Sequence, residues 1–132
     1  MSGTSILPEG WPRPRGYANG MKARGELFAI AGLIGWDETE TIVSDEFAAQ
    51  FRKALENVAA VLRAGGAQPE HLLSITIYVT DKAEYIEQIK AVGAAWREVM
   101  GKHYPTMALV EVAGLLEPRA KVEIQGLACI PD

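Results

Sequence analysis

The sequence predicts an α+β domain, a mixed sheet backed by two helices on one face. Two stretches, 45–64 and 82–100, repeat apolar residues at helical spacing. Five others are extended or alternate with period two, and together they read β-β-α-β-α-β-β. The two helical stretches are similar in length, and nothing resembling a linker divides them, so residues 1–132 are expected to form one domain.

The chain opens with a Pro/Gly-rich arm, residues 1–16, with Pro8, Gly10, Pro12, Pro14 and Gly16 around Trp11. Proline removes a backbone donor and fixes φ, so Ser2 to Tyr17 is expected as arm or loop, not helix or central strand. Tyr17 to Arg24 and Glu26 to Gly32 are extended segments separated by Gly25, which suggests a hairpin. In the second, Leu27, Ala29 and Ala31 alternate with Phe28, Ile30 and Gly32, so both faces are apolar and cover on both sides is expected. A turn with an aromatic follows, GLIGWD from Gly32 to Asp37.

Ser44 or Asp45 is placed to cap a helix running to Ala64, with Asp45 and Glu46 favoured by the dipole of its first turn. Phe47, Phe51, Leu55, Val58 and Leu62 form its apolar stripe, and Gly65–Gly66 ends it. Leu72 to Thr80 alternates Leu73, Ile75, Ile77 and Val79 with Ser74, Thr76 and Tyr78. The first set belongs on the helices; the second is half-polar and suits an interface or a site. Asp81 caps a second helix through Met100, with Tyr85 or Ile86, Ile89, Val92, Trp96 and Val99 inward. Met107 to Val112 and Lys121 to Cys129 then read as an antiparallel pair around a loop with Gly114 and Pro118. The half-apolar second sheet face has no third layer within the chain, which predicts a homo-oligomer.

Composition narrows the function. Of 132 residues 48% are hydrophobic, and the formal net charge is −4. No Lys/Arg cluster offsets that charge, so nucleic acid is not expected as a partner, and a role on RNA is disfavoured. No apolar run approaches the roughly 20 residues of a membrane span, so no membrane association is expected. The single cysteine, Cys129, excludes an intrachain disulfide, and no secretion signal is evident, so a cytoplasmic setting is expected.

No CxxC, HExxH, GxSxG or GxxxxGK[ST] pattern occurs. His71 and His103 are far apart and lack a spaced second ligand, so neither metal nor cofactor is expected. Glu111 in VEV and Glu123 in VEI remain. A carboxylate among branched apolar residues mid-strand is desolvated on one side and needs a partner or a task. For Glu111 the expectation is an ion pair with Lys or Arg at a sheet edge.

The motifs RGYANG around Tyr17, AGLIGWD around Gly32, SITIYVTD, and above all YPTMALVEVAGL followed by KVEIQGLA resemble the RidA/YjgF family of enamine/imine deaminases. The resemblance runs from about Gly16 to Ala128. It implies a chorismate-mutase-like fold and a homotrimer whose clefts, between subunits, take a small-molecule substrate. It also implies that Glu123 positions or activates water, with Tyr17 and the Gly32 backbone on the substrate, and Trp36, beside the glycine turn, is a further candidate for the cleft. The family's carboxylate-clamping arginine corresponds to Met107, a cysteine of the family to Leu109, and a helix asparagine to Gly93. A thioether cannot replace a bidentate guanidinium, so the cleft has become more apolar. Hydrolysis of a C=N bond is expected to persist on an altered substrate, larger or less acidic, such as a 2-aminomuconate-like enamine. Arg13, Arg15 or Arg24 could supply a different anion contact, but nothing in the sequence places them in the cleft. The competing class is a non-catalytic ligand-binding or regulatory trimer.

Overall fold

The computed structural model describes residues 3–132, so Met1 and Ser2 of the predicted arm lie outside the described residues. Six strands are present: β1 (Thr4–Ile6), β2 (Gly20–Lys22), β3 (Glu26–Ile34), β4 (Leu72–Val79), β5 (Thr106–Glu111) and β6 (Val122–Ile130). Three helices accompany them: α1 (Phe47–Ala64), α2 (Lys82–Glu87) and α3 (Ile89–Met100). The main sheet has the order β3-β6-β4-β5, with β6 antiparallel to both neighbours and β4 parallel to β5. The helices lie on one face, and the architecture is the α+β arrangement expected.

The core is the seam between that face and the helices. Phe47, Phe51, Leu55, Val58 and Leu62 of α1 meet Ile75 and Ile77 of β4 and Val122 and Ile124 of β6, all at most 2% exposed. The α1 stripe therefore packs as its spacing predicts, which accounts for a helix whose exposed face is polar.

Several pairings differ from expectation. The proposed hairpin does not form: β2 pairs with β1, and β3 pairs with β6. The arm is thus not wholly irregular, because Thr4–Ile6, ahead of its first proline, is free to donate to a ladder. Gly25 sits at φ 148, where a side chain would strike the Ile130 carbonyl, so it permits close approach at the end of the β3–β6 ladder. Nor do β5 and β6 pair with each other. β5 is an edge strand reached from β4 by the α2–α3 crossover that a parallel pair requires. Period-two alternation reports which face a side chain takes, not which strand lies alongside.

Further expectations are corrected. β3 is covered on one face only: Leu27, Ala29 and Ala31 are exposed. Helix α1 starts at Phe47 behind Glu46, with no side-chain cap; Ser44 accepts from the Glu46 N–H, and Asp45 instead pairs with Arg119 at 2.8 Å. The second helix is broken at Gln88, whose amide oxygen accepts the Ala48 N–H at 2.9 Å and so joins the two helical stretches. Asp81 does cap α2, accepting from Ala83, but Ile86 and Ile89 point outward. Glu111 finds no Lys or Arg. It accepts the backbone N–H of Lys82 and so serves the same helix start, where negative charge is favoured by the dipole.

Candidate functional site

The residues singled out from the sequence fall into two groups on opposite faces of the sheet. Tyr17, Gly93, Met107 and Leu109 line a cavity of about 730 Å³ between the β5 edge and the helices. Gly32, Trp36 and Glu123 line a smaller one of about 280 Å³ with Leu116 and Glu117.

Local structure sets the first group. Met107 and Leu109 lie opposite Ile75 and Ile77 of β4, so they share the helix-facing side. Tyr17 is brought to them because Ala18 donates to the Pro105 carbonyl at 3.1 Å and bridges to Thr106. The far wall is an aromatic pair, Trp96 and Tyr104, stacked with ring centroids 6.1 Å apart. The Trp96 indole N–H donates to the His103 carbonyl at 2.9 Å, which fixes the wall before any ligand arrives. Tyr85 closes the pocket from α2, and burial pushes its hydroxyl pKa up, so it stays a neutral phenol.

Two arginines missed as site residues or unplaced from the sequence also line this pocket, Arg97 and Arg15. Tyr85 and Trp96, expected from the sequence as inward packing residues of the second helix, line it with Tyr104. The signal for Arg97 was present: it follows Gly93 by four residues and so lies on the same helix face.

The second group is built on a bulge. Pairing of β3 with β6 jumps between Ile30–Gly126 and Leu33–Ile124, leaving Ala31 and Gly32 outside the register. The Glu123 side chain lies on Gly32, where a Cβ would overlap its carboxylate. Gly32→Ala is therefore expected to displace the carboxylate while the core remains intact, which a crystal structure of the variant alongside circular dichroism would show. Trp36 is held nearby because the Asn57 amide donates to the Ile34 and Trp36 carbonyls, both at 2.9 Å. The following loop is tied by Asp37, which accepts from Thr39 and Thr41; those hydrogen bonds hold its carboxyl below 3.8.

Glu123 itself is half-buried, and none of the ion pairs among the described residues uses it. Its neighbour on β4 is Tyr78, whose hydroxyl donates to the Gln125 side-chain oxygen at 2.8 Å. Cys129 is buried and Trp11 exposed, and neither lines the two cavities. Among the described residues no cluster of His, Cys, Asp or Glu has the geometry to hold a metal. His71 instead accepts the Gln68 N–H, and the His103 ring lies 2.7 Å from the Leu72 carbonyl. No helix among the described residues is long and apolar enough to cross a membrane.

Within one chain the two groups cannot meet. Met107 lies opposite Ile75, and Glu123 opposite Tyr78, on strands either side of β4. Two strand spacings and three residues of rise separate their backbones by about 14 Å, and their side chains leave opposite faces.

A small mixed sheet with helices on one face, an unpaired carboxylate on a glycine bulge and an aromatic pocket define an α+β protein with two candidate sites. Residues 12–130 match the family model described as Endoribonuclease L-PSP, and the chain belongs to this family, the RidA/YjgF proteins. It is 32% identical over 125 residues to a RutC family protein of Pyrococcus horikoshii, covering 93% of this chain and 94% of that one. It is 29% identical over 128 residues to the 2-iminobutanoate/2-iminopropanoate deaminase of Salmonella typhimurium, covering 94% and 95%. Among solved structures, a Rid-family protein of unknown function from Yersinia pestis, YyfB, superposes with a TM-score of 0.86 at 25% identity, covering 98% of this chain and 100% of that one. The family thus includes imine deaminases.

Proposed function

We propose that this protein hydrolyses a reactive imine, formed by tautomerisation of an enamine, with Glu123 as the proton-transferring group. The observation that carries this reading is the Glu123 carboxylate lying unpaired on the Gly32 bulge. Water adds to the imine carbon as the carboxylate takes one of its protons and hands it to nitrogen; in the resulting carbinolamine the carboxylate takes the hydroxyl proton and delivers it to nitrogen as the C–N bond breaks, giving a ketone and ammonia. Peptide groups of the Gly32 bulge hold the substrate nitrogen or the water.

The site requires a second copy. Glu123 and the pocket beneath Met107 act together only across subunits, because within one chain they face opposite ways. The same face carries the apolar surface that a neighbour would cover: Leu27 is 71% exposed, Leu127 42% and Val110 41%. Exposed large apolar groups on one contiguous face mark an interface. A homotrimer closed on these faces is the family-like arrangement. Leu27→Asp with Leu127→Asp is expected to yield monomer by sedimentation, with loss of ammonia release; a trimer that survives both changes overturns this interface.

Met107 favours a second reading, a trimer that binds but does not turn over, since a thioether cannot grip a carboxylate. Ammonia release from 2-iminopropionate generated in situ separates the two: acceleration that depends on Glu123 supports the enzyme, and none on this or any bulkier imine supports the binder.

A further inference from the structure

The pocket beneath Met107 is apolar on its floor and carries cations at its mouth. Arg15 and Arg97 line it, while Arg13 and Lys102 line the adjoining cavity of about 480 Å³, which shares Gly16, Tyr17 and Tyr104 with it. The chain has 17 acidic residues against 13 basic ones, yet no carboxylate lines either cavity. Arg15 and Arg97 are exposed, and neither takes part in an ion pair among the described residues.

Gly93 explains how Arg97 reaches the pocket. Glycine inside a helix costs roughly 0.5–1 kcal/mol relative to alanine, so its presence in α3 calls for a reason. The Arg97 Nη1 lies 3.3 Å from where a Gly93 Cβ would be, so the guanidinium folds back over the preceding turn, across the gap that glycine leaves. The interior is apolar and aromatic, with Met107 and Leu109 as floor and the Trp96–Tyr104 stack as wall.

We propose that this pocket selects a carboxylate with a large apolar or aromatic body, the carboxylate held at the mouth by Arg97 and Arg15 and the body lying over Met107 against Trp96. The cations lie at the exposed rim, and the thioether and leucine floor leaves room for apolar bulk. The single chain's cavity of about 730 Å³, open on one side, has room for more than a three-carbon imino acid. The choice of probe rests on the imine-hydrolase reading, whose product would be a keto acid, but binding is read independently of turnover.

The test is calorimetric titration of the wild-type assembly with phenylpyruvate, with the smaller pyruvate, and with uncharged phenylacetone. Phenylpyruvate should bind best. Because a hydrogen bond to a charged group contributes about 1.5–3 kcal/mol, Arg97→Gln should weaken phenylpyruvate at least about tenfold while leaving phenylacetone unchanged. Arg15→Gln should act in the same sense, and both side chains are exposed enough for the fold to tolerate the change. Pyruvate binding as tightly as phenylpyruvate, or Arg97→Gln weakening charged and uncharged probes alike or neither, overturns the proposal. Arginine-dependent binding without turnover of any imine would leave this pocket assignment standing and remove the hydrolase reading.

Discussion

Glu123→Gln is expected to slow imine hydrolysis by about 10²- to 10⁴-fold, the usual contribution of a positioned acid–base group. Glutamine keeps the shape and half-burial of the side chain but cannot accept and return a proton. Because Glu123 enters none of the ion pairs among the described residues, the substitution breaks none, and the unfolding midpoint should barely move. The measurement is ammonia release from imines generated in situ, alongside thermal unfolding of the same preparations. An unchanged rate would sink the assignment of Glu123. A lost rate with a large fall in stability would instead make it structural.

The largest effect on stability is expected at Gln50, which is fully buried in α1 although polar. Its amide nitrogen donates to the Ser44 carbonyl at 2.8 Å and the Arg119 carbonyl at 3.1 Å, and its oxygen accepts the Lys121 N–H at 2.8 Å. One side chain thus satisfies three backbone groups of loops that have no ladder of their own. Gln50→Leu leaves these groups dry and unpartnered at about 1–3 kcal/mol each, so a loss of about 3 kcal/mol or more is expected in urea unfolding. A loss under about 1 kcal/mol would mean that water reaches the site and replaces the amide. The effect should reach the candidate site too, since Arg119 and Lys121 lead directly into β6 and Glu123. The neighbouring Arg119–Asp45 pair is a weaker tie. Hydrogen bonding to Arg119 holds the Asp45 carboxyl below its ordinary 3.8, so its contribution is present above that pH and fades as pH falls below it.

The candidate site was partly legible in the sequence. Glu123 drew attention as an acid between valine and isoleucine, and the glycine turn with Trp36 lies beside it in the fold. Tyr17, Met107, Leu109 and Gly93 share the other cavity. Arg97 and Gln50 were missed for related reasons. Each is a polar residue on a helix stripe otherwise read for its apolar members, and its partner is a glycine one turn away or a loop 69 to 71 residues further on. Periodicity assigns faces without saying what a polar residue on that face will meet.

By itself the sequence determined the α+β class, the α1 stripe and the second helical stretch, and an uncovered half-apolar sheet face. These follow from local spacing, because side-chain direction repeats every 3.6 or 2 residues whatever the partner. Only the tertiary structure decided that β6 lies between β3 and β4, that β5 runs parallel to β4 at the edge, and that β1 takes β2 from the supposed hairpin. It alone also set Met107 and Glu123 on opposite faces and turned Arg97 over its pocket. Strand pairing is chosen by which long-range contacts bury most surface and satisfy most backbone groups at once, a competition between distant segments that no local pattern records.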